Sequence, residues 1–480
     1  MDHTGFHEKI SVDRESEKMT LTQMAEACNG ILHEGSYADQ VMQDAAGVVL
    51  DSRKAEPGSV FIATKGERVD GHDFIDSVFE KGALGVICEK VPTQAKGPFI
   101  LVKDSFQALK DIAEAYRKTL KIPVIGITGS VGKTSTKEMI ASVLSQKYHV
   151  LKTEGNYNNE VGLPLTVLRI TAEHTAAVLE MGISEFGEMH RLSKIARPDI
   201  CVITNIGQCH LENLHTREGI LQAKSEIFDY MSDQGAVCLN GDDDKLVTIT
   251  QVKGIKPVFF GKNRNNAIYA DEIEDRGLFG SSCKIHTPQG EVSVQIPLPG
   301  AHMISNALAA AAVGLRLGLT LSQIAAGIAA VKPVGGRSNL IRCANYTVID
   351  DCYNANPASM KSALDLLSTA KTRKAAILGD MFELGENETA LHEEIGRYAC
   401  GRTDVLLCVG KLAKSIYEAA IAEQKSMDKG AAGQFHAYYY ATRDELETEL
   451  PKVLQNDDTI LVKASHGMAL GHVVELLTKA

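Results

Sequence analysis

Residues 123–136, PVIGITGSVGKTST, constrain the fold more than any other stretch, because a β-branched apolar run turns through two glycines into Lys133 and the helical pattern KEMIASVLSQKY. A strand ending in a glycine turn at a helix N-terminus opens a parallel α/β unit. Its outward N–H groups and the helix dipole favour phosphate oxygens. The widespread phosphate-loop pattern requires glycine at position 127, where this chain has Ile127. The chemical parts are still present in Thr128, Gly129, Ser130, Val131, Gly132, Lys133, Thr134 and Ser135. Lys133 has the charge to neutralise β- and γ-phosphates, and Thr134 has a hydroxyl to ligate magnesium. A bare strand–helix turn has no packing use for such a lysine, so the loop is predicted to bind a nucleotide phosphate.

At 480 residues the chain exceeds one hydrophobic core. Residues 20–120 mix short strands (VVLDSR, SVFIATKG, LGVICEK, PFILVK) with helices and read as a small α/β domain. Residues 121–333 alternate PVIGIT, AAVLEMG, DICVITNI and GAVCLNG with helices, which predicts a parallel sheet. SCKIHT and EVSVQIPL, split by PQG, read as an added antiparallel hairpin. KPVGGRSN reads as a linker. Residues 334–480 then repeat strand–helix pairs from TVIDDCYN to TILVKAS, a Rossmann-like unit. The expected fold is α/β, three domains in series, with a central phosphate-loop parallel-sheet ATPase domain and a Rossmann-like C-terminal domain.

The net charge of -11 and the absence of a basic run argue against a nucleic-acid partner. Ten scattered cysteines without C-x-x-C spacing fit a reducing cytoplasm. Residues 1–19 are polar, lack the apolar core of a secretory signal, and read as a disordered extension. His302–Leu319, the most apolar helical stretch, carries His302, Asn306 and Arg316, so a buried helix is expected and no membrane span. A monomer is expected.

Glu180 ends the strand AVLEMG, and strand carboxyl ends of parallel sheets meet ligands. Magnesium prefers oxygen, so Glu180 is an easier ligand than His210, which follows the next strand in TNIGQCHLENL. On the residues alone His210 is equally a surface-loop histidine. Lys224 in LQAKSEIF reads first as a snorkelling surface lysine. In GNYNNEVGLPLT, Asn156 and Asn159 have two roles open to them, phosphate contact or helix cap.

TGSVGKTST, GNYNNEVGLPLT, LEMG, TNIGQCHLENL, QAKSEIF, ISNALAA, GRSN and DDCYNANPASM, in this order, resemble the Mur ligases over nearly the whole chain from about residue 20. That family's phosphate loop has the form T-G-x-x-G-K-T, which Ile127 does not disturb. The resemblance, with LGDMFELG and FIATKGERVDGHDF, implies an ATP-dependent amide ligase that joins D-Ala-D-Ala to UDP-MurNAc-tripeptide through an acyl phosphate, in peptidoglycan precursor assembly. ATP and Mg2+ are the implied cofactors. Lys133, His210 and Lys224 become the implied catalytic groups, and Thr134, Glu180, His210 and a carbamylated Lys224 the implied metal ligands. Asn306 resembles an adenine contact and Arg337 the linker arginine that carries the C-terminal domain onto ATP. Asp351, or alternatively Asp350, resembles the ribose acid. Asp51, Ser52, Arg53, Lys65, Gly66, Asp70, Gly71, His72, Asn159, Tyr353, Asn354 and Asn356 are the implied substrate residues. His466 stands where the family usually has arginine, which weakens dipeptide assignments in KASHGMAL. The alternatives are another amino-acid-adding Mur-type ligase, folylpolyglutamate synthetase, or, in a different class, a phosphate-loop ATPase switch.

Overall fold

The computed structural model describes residues 18–94, 96–427 and 435–479. All but the last two residues of the expected N-terminal extension lie outside them. The chain forms two compact units: 1–122 with 154–177, and 123–153 with 178–480.

In the first unit, β1 (Ile31–His33), β2 (Gly47–Val49), β3 (Ser59–Ile62), β4 (Gly85–Cys88) and β5 (Phe99–Leu101) form a sheet of order β1-β5-β4-β3-β2. Only the edge strand β1 runs antiparallel to its neighbour. β3 and β4 are buried at every position, as expected of parallel strands covered on both faces. The helix Ser105–Thr119 adds Ala108, Leu109 and Ile112 to a core shared with Leu21, Ile62 and Ile100. The segment 154–177 belongs to this unit although both its flanks belong to the other. Its helix Gly162–Leu168 packs on β2 and on Ser105–Thr119, so Val161, Leu165 and Leu168 find apolar cover there.

The second unit holds two sheets. The larger contains β6 (Val124–Thr128), β7 (Val150–Lys152), β8 (Ala176–Glu180), β9 (Ile200–Ile203), β10 (Ala236–Asn240), β11 (Val258–Gly261), β12 (Ile268–Asp275), β13 (Ser281–Thr287) and β14 (Gly290–Ile296). Its order is β14-β13-β12-β11-β10-β9-β6-β8-β7. The β13–β14 hairpin closes at Thr287↔Gly290, over the PQG turn, and β12 joins it antiparallel. The buried helix expected from residue 302 is observed as His302–Arg316, packed against the loop helix Lys133–Leu144. The smaller sheet, β15-β16-β20-β17-β18-β19, is built from β15 (Asn339–Arg342), β16 (Tyr346–Asp350), β17 (Lys374–Gly379), β18 (Val405–Val409), β19 (His436–Tyr440) and β20 (Asp458–Lys463). It is parallel apart from the edge strand β15. Among the described residues no helix is long and apolar enough to cross a membrane.

Candidate active site

β6 is buried throughout and ends at Thr128, where the chain turns through Gly129 (φ 149) and Gly132 (φ 80) into the helix. A Cβ on Gly129 would lie 1.9 Å from Thr204 Oγ1, so only glycine fits. The turn is laced to the residues after β9. Ser130 N donates to Asn205 O (3.0 Å), Val131 N to Asn205 Oδ1 (3.0 Å), and Thr204 Oγ1 to Val131 O (2.7 Å). Gly207 N donates to Ser130 Oγ (2.8 Å). Thr204 and Asn205 therefore tie the loop backbone to the end of the neighbouring strand.

Half-buried Lys133 lies back on its own loop, Nζ to Gly129 O at 2.8 Å. Burial pushes its amine below the usual range, Glu180 opposes this, and Arg337 reinforces it. Loop, strand-end carboxylate and linker guanidinium are thus close enough to interact. Thr134 is 5% exposed at the helix start. Thr136 Oγ1 donates to Asn306 Oδ1 (3.0 Å), which brings Asn306 against the loop helix.

Glu180 is held by residues with no motif of their own. Lys137, 2% exposed and one turn beyond Lys133, donates to Thr153 O (2.7 Å) and lies 3.2 Å from Glu138 and 3.8 Å from Glu180. Glu180 N donates to Thr153 Oγ1 (2.9 Å). The only sequence signal for Lys137 is its i+4 spacing from Lys133, which places the two on one helix face.

Lys224 is not a snorkelling surface lysine: it is fully buried, and its Nζ has no hydrogen-bond partner. Burial, with Lys133 adding repulsion, brings its amine down to about 8, where a neutral, nucleophilic fraction exists near neutral pH. His210 caps the short helix Leu211–Leu214 and lies 2.5 Å, through Nδ1, from Glu383 Oε2 of the C-terminal sheet's loop. That contact draws the Glu383 carboxyl below its ordinary value.

The guanidinium of Arg337 stacks 3.8 Å from the Tyr353 ring centroid. Asp350 accepts from Gly336 N (2.7 Å) and Asp351 from Ser338 N (2.9 Å), so both acids brace the linker. Asp351 is further paired with buried Lys463 at 2.7 Å. Tyr353 packs 5.4 Å from His466, ring to ring. Asn356 makes a capping box at Pro357–Ser368, accepting from Ser359 N, while Asn354 is exposed with its Oδ1 on Ala355 N. The Asn356 side-chain oxygen is therefore engaged by its own helix. The Asn-Pro-x-Ser pattern is itself a cap signal.

In the first unit a cavity of about 760 Å³ is lined by Asp51, Lys54, Tyr116, Tyr157, Leu165 and Arg169, among others. Of the substrate residues expected there, only Asp51 lines it. Ser52 and Arg53 follow Asp51 in a short 3-10 turn, and Arg53, 88% exposed, is paired to Asp51 at 2.9 Å. Lys65 and Gly66 bridge back to Val69 and Asp70. His72 has both ring nitrogens engaged, Nδ1 by Asp70 (2.6 Å) and Nε2 by Glu89 N (2.9 Å), and a Cβ on Gly71 would meet Thr64 backbone at 2.8 Å. DGHDF thus pins the turn to the sheet. Asn159 Oδ1 accepts from Val161 N and Gly162 N, so its side-chain oxygen caps the helix that follows.

Among the described residues no group of three His, Cys, Asp or Glu side chains could hold a metal ion by itself. Thr134 and Glu180 suit an ion that takes one or two protein oxygens and completes its shell with phosphate and water, the habit of magnesium rather than zinc. The buried, unpartnered amine of Lys224 likewise suits conversion to an oxygen donor.

Three family models match the chain in series: Mur ligase family, catalytic domain, at residues 44–124; Mur ligase middle domain, at 127–314; and Mur ligase, glutamate ligase domain, at 336–466. The UDP-N-acetylmuramoyl-tripeptide--D-alanyl-D-alanine ligase of Bacillus subtilis (strain 168) is 37% identical over 469 residues, covering 96% of this chain and 99% of the relative. The Escherichia coli (strain K12) ligase of the same name is 36% identical, covering 96% and 98%. A crystal structure of MurF from Acinetobacter baumannii superposes with a TM-score of 0.85 at 33% identity, covering 97% of this chain and 99% of that one. MurF from Thermotoga maritima, solved in complex with ADP, gives 0.78 at 29%, covering 91% and 99%. The chain belongs to the Mur ligase family of ATP-dependent ligases.

Proposed function

We propose that this chain joins D-Ala-D-Ala to UDP-MurNAc-tripeptide, the γ-phosphoryl of ATP passing to the tripeptide carboxylate to give an acyl phosphate and ADP, and phosphate leaving when the dipeptide amine attacks. A carboxylate oxygen is a poor leaving group, so activation as an acyl phosphate must precede attack by the dipeptide amine. Phosphoryl transfer needs positioning and charge neutralisation more than a protein nucleophile. The observation that carries the reading is the grouping of Lys133 on the glycine turn, the buried Glu180 carboxylate at the strand end, and Arg337, stacked on Tyr353, with Glu180 and Arg337 both within electrostatic reach of Lys133.

In this reading the loop N–H groups and Lys133 hold the phosphates, Arg337 brings positive charge from the linker, and Asp351 and Asn306 face the nucleoside. Thr134, Glu180, His210 and a carbamylated Lys224 would hold Mg2+. When bound, Mg2+ supplies charge neutralisation on the transferring phosphoryl group. The first unit, with its cavity beside Asp51, receives the UDP-linked precursor, and Tyr353 and Asn354 lie on the dipeptide side. The enzyme works as a cytoplasmic monomer, in keeping with ten free cysteines.

The test combines purified protein, Mg2+, ATP, UDP-MurNAc-tripeptide and D-Ala-D-Ala, with phosphate release and product mass recorded. Amide product that requires both acceptor and dipeptide is expected. Phosphate release independent of the dipeptide would point to an ATPase switch, and addition of a single amino acid to a shorter precursor would point to a neighbouring Mur-type ligase.

A further inference from the structure

β20 is buried at every position, lies between β16 and β17, and ends at Lys463. Asp351 N donates to Val462 O (3.0 Å), so the parallel ladder carries Asp351 and Lys463 to the same level at the carboxyl edge of the sheet. A lysine only 2% exposed must satisfy its three N–H donors within the protein. Lys463 Nζ does so on the turn after β16, donating to Asp351 Oδ2 (2.7 Å), to Asn354 O (2.9 Å) and, at longer range, to Asp351 O (3.4 Å). One side chain thus grips both ends of the segment 351–354. The other Asp351 oxygen, Oδ1, accepts from Ser338 N (2.9 Å), and Tyr353 N donates to Gly336 O (3.2 Å), which laces the same turn to the linker. Asp351 and Lys463 both lie within electrostatic reach of His302, the first residue of the helix that carries Asn306.

Each carboxylate oxygen has a second lone pair, so Asp351 keeps acceptor capacity for a ligand hydroxyl while Lys463 and Ser338 fix where it points. We propose that Lys463 is a positioning residue that ties Asp351 to the Tyr353–Asn354 turn, so that filling the nucleotide pocket orders the side of the site that takes the dipeptide. This rests on the roles given above to Asp351, Tyr353 and Asn354. A hydroxyl bound at Asp351 restrains the carboxylate, the carboxylate restrains Nζ, and Nζ restrains the Asn354 carbonyl. Hydrogen-bond chains of this kind carry coupling between two sites, and such coupling is reciprocal and about 5- to 150-fold in affinity. The chain runs through a side chain that has contacts with both ends of the turn and needs none with either ligand.

The experiment compares the full chain as wild type, Lys463→Met and Lys463→Met/Asp351→Asn. The first readout is hydrogen–deuterium exchange of the backbone at residues 352–356, without ligand and with MgCl2 and ADP at a concentration that calorimetry shows to be saturating for each protein. Nucleotide should slow this exchange in wild type. In both variants exchange should be faster and should not respond to bound ADP. The second readout is the set of KM values: that for D-Ala-D-Ala should rise about tenfold in both variants, while that for UDP-MurNAc-tripeptide stays unchanged. A purely structural role would instead lower the melting temperature and the active fraction and leave every KM alone. The double variant guards against misfolding, because it leaves no buried carboxylate without its partner and should melt closer to wild type than Lys463→Met does. Exchange at 352–356 that still slows with ADP in the double variant, or an unchanged KM for D-Ala-D-Ala, would overturn the proposal. If exchange behaves as described while wild type forms no amide bond, the functional reading fails and the tether stands.

Discussion

Lys137→Met is the sharpest test of how the Glu180 carboxylate is held. The ammonium is 2% exposed and lies 3.8 Å from Glu180 Oε2, itself on a residue 1% exposed. At an effective dielectric of ~20 this attraction is worth about 4 kcal/mol. Both groups were desolvated to form it, so the pair's net value is smaller. Removing Lys137 is different, because buried Glu180 loses its nearest side-chain cation while Lys133 is left to attract it, and such changes cost up to about 3–5 kcal/mol. Glu138 keeps its contact with Lys152, so the loss falls mainly on Glu180 and on the Thr153 carbonyl that Lys137 also binds. For a domain of this size the cost amounts to a fall in melting temperature of roughly 10 °C. Two further measurements separate this cause from simple cavity formation. The double variant Lys137→Met/Glu180→Gln should recover much of the loss, since the carboxylate that lost its nearest cation is then neutral. Added MgCl2 should stabilise Lys137→Met more than wild type, because Glu180 then has a cation to gain. A fall below about 2 °C, or a double variant less stable than Lys137→Met by the full cost of Glu180→Gln, would refute the reasoning.

Lys224 carries a pH signature. Its amine is held at about 8 against an ordinary 10.5, first by burial and then by Lys133. Between those values the unfolded chain binds the proton and the folded one does not, so stability should rise with pH across that window, by about 3 kcal/mol in all. Urea midpoints in CO2-free buffer should show this rise in wild type and lose it in Lys224→Met. Gly129→Ala, whose methyl would lie 1.9 Å from Thr204 Oγ1, should lower ATP affinity by calorimetry at least tenfold, whereas Gly47→Ala, with nothing within 4 Å and no positive φ, should leave it unchanged. Asn356→Ala should cost about 1 kcal/mol in urea unfolding through loss of its cap and leave the KM for D-Ala-D-Ala within twofold. A large KM change would restore it to the substrate side.

The central strands were legible because parallel strands covered on both faces read as unbroken apolar runs: β6, β8, β9, β10, β17, β18 and β20. β12 escaped because Asp271, Glu272, Glu274 and Asp275 fill it, only Ile268 and Ala270 are buried, and its ladder is broken by a bulge. β1, β7 and β15 are edge strands of three or four residues, too short for any period to show. The phosphate loop was legible because its chemistry is contiguous. Lys137, Thr153 and Lys463 were not, because each matters only through a partner supplied by a different strand or domain. Lys224 reads as a surface lysine from its own segment and becomes a site residue only through the family resemblance, because its burial depends on how its helix packs, which spacing within QAKSEIF does not express. Asn356 was legible as a polar side chain, while its cap was not, since a cap and a ligand contact call for the same residue type.

The excursion 154–177 leaves the second unit after Thr153, which donates its N–H to Val178 O (3.1 Å) and takes Glu180 N on its hydroxyl. The first unit is therefore not a module that one cut, or one crossover between related genes, can exchange. Transplanting residues 1–122 alone would leave β2 and the helix Ser105–Thr119 without the cover of Leu165 and Leu168. It would also leave a foreign loop inserted three residues before Glu180. Chimeras that alter precursor specificity must carry both segments and must preserve the Thr153–Val178 staple at the base of the second.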